Sequence, residues 1–267
     1  MFSFSFLSHV CDHHYHWSII SSYFESSHHR TSPNLGKKLV CWLFCVWVDW
    51  SHLWLSSSAS DCFEYFKHGS HGIIPPQLGN LSFLVYLNMS MNSLHGELPH
   101  EFVHLRRLKV LDLGVNNLKG ELPLWIRSFS QLRYFSLTNN SFTGLIPSCI
   151  SNMSNIATSR LSYNPLQGNI PPGIFNISSL KRIALLRNGL SGSLSSDMCF
   201  HLPWLSFLLL SHNKLSGPLP SITLAQCSEL QALGLAYNEF RGPIPKEIGD
   251  LKKLKWLYLG YNYLVGK

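Results

Sequence analysis

Residues 105–128 read LRRLKVLDLGVNNLKGELPLWIRS, and residues 81–104, LSFLVYLNMSMNSLHGELPHEFVH, spell the same pattern. Working outward, 129–152 (FSQLRYFSLTNNSFTGLIPSCISN) and 153–176 (MSNIATSRLSYNPLQGNIPPGIFN) stay in step. Units of 25 residues begin at Ile177 and Leu202, one of 24 begins at Cys227, and another runs from Leu251 to Lys267. Upstream, GIIPPQLGN at 72–80 is the tail of an earlier unit. Within each unit apolar residues take the first, fourth, seventh and ninth places, and Asn follows at about the twelfth.

A period of this length with this Leu and Asn spacing is the signature of a leucine-rich repeat, a short strand followed by a turn and an irregular or 3₁₀ segment. The fold class expected is therefore a repeat solenoid. It is a curved right-handed coil with a parallel concave β-sheet and a 3₁₀ or irregular convex side, over residues 73–267. Each coil covers its neighbour's apolar face, so uncovered ends are expected to fray and leave an ordered middle from Leu81 to Asp250. The Asn column is Asn92, Asn116, Asn140, Asn164, Asn188, Asn213, Asn238 and Asn262. An inward Asn at a sharp turn can satisfy backbone groups that would cost about 1–3 kcal/mol each if buried unpaired. Four places on stand Gly96, Gly120, Gly144, Gly168, Gly192, Gly217, Gly242 and Gly266, where the chain turns without a Cβ. Both columns read as builders of the coil. Two departures stand out: Leu194-Ser195 lacks the usual Pro, and Ser159 is polar where a strand residue should be apolar.

Composition agrees. With 45% hydrophobic and 13% charged residues the chain is too apolar for a disordered tail. The formal charge of +7 divides as four Lys/Arg against five Asp/Glu before residue 73, and seventeen against nine after it. Only Lys252, Lys253 and Lys255 lie close together, which reads as a solvated face and argues against nucleic-acid binding. The seven cysteines have no CxxC spacing and indicate neither a disulfide framework nor a zinc site. No apolar run reaches the ~18 residues of a membrane span, and the N-terminus MFSFSFLSHV lacks the basic start of a signal peptide.

The motif NxLxGxIP, as in Asn140 to Pro147 (NSFTGLIP) and Asn238 to Pro245 (NEFRGPIP), resembles the plant-specific leucine-rich-repeat class. That class occurs in ectodomains of plant receptor-like kinases and receptor-like proteins, and in polygalacturonase-inhibiting proteins. The stretch IIPPQLGNLSFL at 73–84 most resembles the first repeats of the receptor-kinase subfamily that includes bacterial-pattern and rice blight receptors. The resemblance implies recognition of a peptide or protein ligand, a co-receptor kinase as partner, a role in defence or developmental signalling, and an extracellular or plasma-membrane-associated location. The kinase and membrane span of such receptors are not spelled here, which reads as an N-terminal fragment or a truncated gene product. The alternative reading is a secreted inhibitor of polygalacturonase-inhibitor type.

Residues 1–72 do not fit the repeat. They are Ser-, His- and Trp-rich, hold nine of the fourteen histidines, and lack the paired-cysteine cap of the class. Back-translating Val48 to Leu55 and reading one base later permits W-T-G-V-T-C-G, the end of such a cap. The segment is therefore expected to be an out-of-frame or degenerate cap. A divergent head binding metal through Cys11, His13, His14 and His16 is the competing reading, but the four are crowded into six positions, and no metal site is assigned.

Strand positions that point outward on the concave face are the binding candidates: Tyr86, Asn88, Asp112, Tyr134, Ser136, Arg160, Tyr163, Arg187, Phe207, His212, Tyr237, Trp256, Tyr258 and Tyr261. Aromatic and Arg side chains are the types that anchor interfaces. Five N-x-S sequons, at Asn80, Asn88, Asn139, Asn152 and Asn176, are glycosylation candidates; Asn80, Asn152 and Asn176 share one repeat position. No phosphate loop, H-E-x-x-H, G-x-S-x-G or kinase motif set is present. No catalytic residue, enzyme activity or cofactor is assigned.

Overall fold

The computed structural model describes residues 71–220 and 226–266; of the proposed out-of-frame or degenerate cap at 1–72, all but residues 71 and 72 lie outside the described residues, as does the Cys11/His cluster. Strands alternate between two faces of the coil. One set is β1 (His71–Ile73), β3 (Ser93–Gly96), β5 (Asn117–Glu121), β7 (Ser141–Thr143), β9 (Gln167–Asn169), β11 (Gly189–Ser193), β13 (Lys214–Pro218), β15 (Glu239–Pro243) and β17 (Tyr263–Val265). The other is β2 (Tyr86–Asn88), β4 (Val110–Asp112), β6 (Tyr134–Ser136), β8 (Thr158–Arg160), β10 (Arg182–Ala184), β12 (Phe207–Leu209), β14 (Ala232–Gly234) and β16 (Trp256–Tyr258). The even strands form one eight-stranded parallel sheet in sequence order, and the odd strands form a four-stranded and a five-stranded sheet. Registers advance by one repeat, for example Leu87↔Leu111, Leu111↔Phe135 and Phe135↔Ser159. The chain is a leucine-rich-repeat solenoid with a second sheet beside the first.

Among the described residues six coils close through a five-residue 3₁₀ turn: Pro76–Asn80, His100–His104, Leu124–Ser128, Ser148–Asn152, Pro172–Asn176 and Lys246–Asp250. A proline (75, 99, 123, 147, 171 or 245) stands before each, its ring holding φ between −59° and −75°. Each turn buries the apolar residue at its third place, Leu78, Phe102, Ile126, Ile150, Ile174 and Ile248 in order, and the turn at Pro172–Asn176 buries Phe175 as well. The coil that lacks this proline, at Leu194-Ser195, forms simple turns over 196–201 instead of a 3₁₀ helix. There the coil is tied covalently, by a Cys199–Cys227 disulfide with a Cα–Cα distance of 5.2 Å. Both cysteines are buried in places that other coils give to Ile, Leu, Phe or Met. Spacing along the chain left the pairing of the cysteines open; the stacking of the coils brings this pair together.

The Asn column bonds from coil to coil. Asn116 Nδ2 donates to the Met89 and Leu113 carbonyls at 2.9 and 3.1 Å, and its Oδ1 accepts the Leu94 N–H at 3.0 Å. Asn140 Nδ2 also donates to Leu113, so that one carbonyl serves two Asn side chains. Ser159 occupies the central column of the long sheet between Phe135 and Ile183, is 1% exposed, and its hydroxyl has no hydrogen-bond partner.

The ordered coil extends beyond the expected Leu81–Asp250, from β1 at His71 to β17 at Val265. At the C-terminal side β16 pairs with β14. The last coil is apolar and open, with Leu257 and Tyr258 43% and 54% exposed. Among the described residues no helix is long and apolar enough to cross a membrane.

Candidate ligand-binding face

Side chains alternate along a strand, so burial of the middle residue of a three-residue strand turns its two flanking residues outward. This places Tyr86, Asn88, Asp112, Tyr134, Arg160 and Phe207 on the outer face of the long sheet, exposed or half-buried, and the register of β16 with β14 puts the exposed Trp256 and Tyr258 in the same columns. Ser136 points the same way but is 2% exposed and lends no contact area. Three of these side chains join across coils. Arg160 Nη1 donates to the Tyr134 hydroxyl at 3.1 Å, and that hydroxyl donates to Asp112 Oδ2 at 3.3 Å. Arg182, which the sequence reading passed over, lies in the column of Tyr134 and Phe207 with its guanidinium carbon 3.9 Å from the Phe207 ring centroid. Its column membership was the signal that could have found it.

A second column borders the sheet, just before each Asn. Met91, Val115, Asn139, Tyr163, Arg187, His212, Tyr237 and Tyr261 all have φ between 51° and 58°. Asn, and to a lesser degree His, enter this left-handed region readily, and the others cost about 1–2 kcal/mol each. Regular hydrogen bonds offset this, such as Tyr163 N–H to Leu186 O at 2.7 Å and Tyr237 N–H to Gly260 O at 2.9 Å. The shared conformation lines the side chains up. His212 stacks on Tyr237, and Tyr237 on Tyr261, each at 4.1 Å and within 11° of parallel. Arg187 lies over the Tyr163 ring at 5.7 Å. Because the inner rings spend their faces on each other, this stripe offers a ligand edges and polar tips. Burial, and then the Arg187 cation, hold the His212 imidazole below its ordinary pKa. Hydrogen bonding to Tyr261, with burial adding, pushes the Tyr237 hydroxyl up. Beside the stripe lies a shallow open depression of about 620 Å³, lined by Tyr163, Arg187, Gln167 and Lys214 among others.

The five sequon asparagines are all exposed. Asn80, Asn152 and Asn176 each end a 3₁₀ turn, whereas Asn88 and Asn139 lie on the outer face and border of the long sheet. Among the described residues no group of three or more His, Cys, Asp or Glu is placed to hold a metal ion.

The repeats match a known family model. The Leucine Rich Repeat family matches residues 83–105, 107–129 and 131–153. These are leucine-rich repeats. A search of the curated proteins finds no match. Among solved structures, the ectodomain of the Arabidopsis thaliana membrane receptor kinase GASSHO1/SCHENGEN3, in complex with CASPARIAN STRIP INTEGRITY FACTOR 2, is 35% identical at a TM-score of 0.70. That likeness covers 73% of this chain and 23% of the other. The Arabidopsis receptor kinase HAESA, in complex with the peptide hormone IDA and the co-receptor SERK1, is 32% identical at a TM-score of 0.64, over 72% of this chain and 36% of its own. A plant ice-binding protein is 26% identical at a TM-score of 0.64, over 72% of this chain and 61% of its own. The leucine-rich-repeat chain thus spans about a quarter to a third of the receptor ectodomains it resembles.

Proposed function

We propose that the leucine-rich-repeat chain recognises an extended peptide, or an extended segment of a protein, on the outer face of its long sheet, as part of a plant receptor-like ectodomain. The observation that carries this reading is the side-chain chain Asp112–Tyr134–Arg160, which runs across three coils and pre-orders polar and aromatic groups in one line. Eight strands at about 4.8 Å spacing span about 34 Å, the length of roughly ten extended residues. Ligand contacts would come from Tyr86, Asn88, Asp112, Tyr134, Arg160, Phe207, Trp256 and Tyr258, and from the bordering Tyr163, Arg187, His212, Tyr237 and Tyr261. The two receptor ectodomains named above were solved with their partners, which supports a peptide ligand and a co-receptor kinase here. A secretory location accords with the buried disulfide, a bond rare where thiols are kept reduced. It accords too with the exposed sequons, at which we propose glycosylation. The bacterial-pattern receptor subfamily and a defence or developmental role belong to the same proposal.

The test is a screen of the full-length chain against a library of extended peptides about ten residues long, followed by alanine substitution. Tyr134→Ala and Arg160→Ala should abolish binding of the best peptide, while Lys119→Ala on the second sheet should leave it intact. Binders indifferent to the first two substitutions would place recognition elsewhere.

A further inference from the structure

The outer face of the long sheet is charged almost entirely with one sign. Arg160 and Arg182 lie on adjacent strands, and Arg187 follows in the bordering column of the same coil as Arg182. Arg133 and Lys181, each just before its strand, add two more exposed cations. Asp112 is the single acid in these columns, and the Tyr134 hydroxyl stands between it and Arg160. Among the described residues the only ion pair is Lys253 with Glu229, far along the coil, so no carboxylate of a described residue lies within ion-pair distance of the three arginines.

Their surroundings hold these guanidiniums in place without neutralising them. Phe207 backs Arg182 at 3.9 Å, Tyr163 backs Arg187 at 5.7 Å, and the Tyr134 hydroxyl holds Arg160 at 3.1 Å. An aromatic ring attracts the face of a guanidinium and leaves its N–H edge free. That edge is the fork that grips a carboxylate with two parallel hydrogen bonds. Like charges crowded on neighbouring strands repel one another, a cost that an anionic ligand removes.

We propose that Arg160, Arg182 and Arg187 form the anchor for an acidic stretch of the ligand, two or three Glu or Asp side chains of an extended peptide crossing the fourth and fifth strands of the long sheet. The inference rests on the peptide-recognition reading above and adds the chemistry of the ligand. Along the bordering stripe that holds Arg187 a peptide fits better than an acidic polysaccharide, because the faces of Tyr237 and one face each of His212 and Tyr261 are already covered by neighbouring rings. Sugar rings stack on open aromatic faces.

The experiment titrates the full-length chain with three labelled probes: a decapeptide alternating Glu and Ser, its counterpart with Gln for Glu, and an oligogalacturonate. The Glu peptide should bind at least about tenfold more tightly than the Gln peptide, and should weaken steeply as salt is raised. Arg160→Gln, Arg182→Gln and Arg187→Gln should each lose several-fold affinity for the Glu peptide only, and the triple variant should bind both peptides equally. Arg182→Lys and Arg187→Lys keep the charge but not the fork, and should retain part of the preference. They also decide the matter if the triple variant fails to fold. Equal binding of the Glu and Gln peptides by the unmodified chain overturns the acidic anchor while leaving peptide recognition standing. Tighter binding of the oligogalacturonate overturns it in favour of a polysaccharide. If neither decapeptide binds while peptides from the wider library do, the anchor falls alone; if no peptide binds the long sheet, both readings fall.

Discussion

Reduction of the Cys199–Cys227 bond should loosen one part of the coil and leave the rest alone. The bond closes a segment of 28 residues. The loop-entropy relation for that length gives about −12 cal/mol/K in the unfolded chain, or about 3.6 kcal/mol at 25 °C. That corresponds to about a 400-fold change in the local opening equilibrium. Strands β12 and β13 lie inside the closed segment, so the amide of Leu210, bonded to Gly234 O at 2.7 Å, is a suitable reporter. The amide of Leu113, bonded to Ser136 O at 2.9 Å several coils away, is the control, because stacked repeats couple mainly to their neighbours. Hydrogen exchange followed by mass spectrometry, with and without dithiothreitol, reads both amides. Exchange at Leu210 should accelerate by up to about 400-fold on reduction, with Leu113 unchanged. A Cys199→Ala/Cys227→Ala variant should exchange fast at Leu210 whether or not reductant is present, which separates this bond from any other. Because both thiols are buried, alkylation must be done in denaturant. Equal exchange at Leu210 in oxidised and reduced protein would refute the entropic argument, and free thiols at both positions in the untreated chain would refute the bond itself.

Ser159→Ala removes a buried hydroxyl with no partner and should raise stability by about 1 kcal/mol, seen as a higher urea midpoint; a lower midpoint contradicts the orphaned-hydroxyl reading. Asn164→Ala should cost only about 1–3 kcal/mol despite its several hydrogen bonds. It orphans the Phe142 N–H, but the Leu137 and Leu161 carbonyls keep donors from Asn140 and Asn188. Asn164→Asp should cost more than the alanine in the same urea titration, because it places a charge among carbonyls that need donors. The lowered pKa of His212 means that the unfolded chain binds the proton more readily than the folded one. Its contribution is complete above the ordinary value near 6.5 and is lost as pH falls through the lowered folded value. Thermal midpoints taken across that range should therefore drop on acidification, and His212→Asn should flatten the drop.

Much of this coil is legible in one dimension because each residue's neighbours repeat at a fixed offset. Once Leu87, Leu111 and Phe135 are seen to share a column, their burial and the outward turn of Tyr86, Tyr134 and Phe207 follow from strand alternation alone. The NxLxGxIP motif likewise carries the turn before each Asn and the proline before each 3₁₀ helix. Where the proline is missing, at Leu194-Ser195, the helix is missing too. The same column logic contains Arg182, which shares its row with Tyr134 and Phe207.

Column logic does not say how far a side chain reaches across to the next coil. Arg160 meeting Tyr134 and Tyr134 meeting Asp112 depend on rotamers that sequence does not carry, as does the choice of Arg182 to lie over Phe207. Ser136 is outward by pattern and covered in fact. The Cys199–Cys227 pair needed two different columns of adjacent coils to be brought within 5.2 Å, a distance set by how the coils stack. Sequence by itself determined the period, the buried columns and the face that meets solvent, because these depend only on each residue's place in its own coil. Tertiary structure decided the cross-coil contacts, and with them the disulfide, the ring stack and the unpaired arginine cluster, because those depend on side chains from separate coils meeting in space.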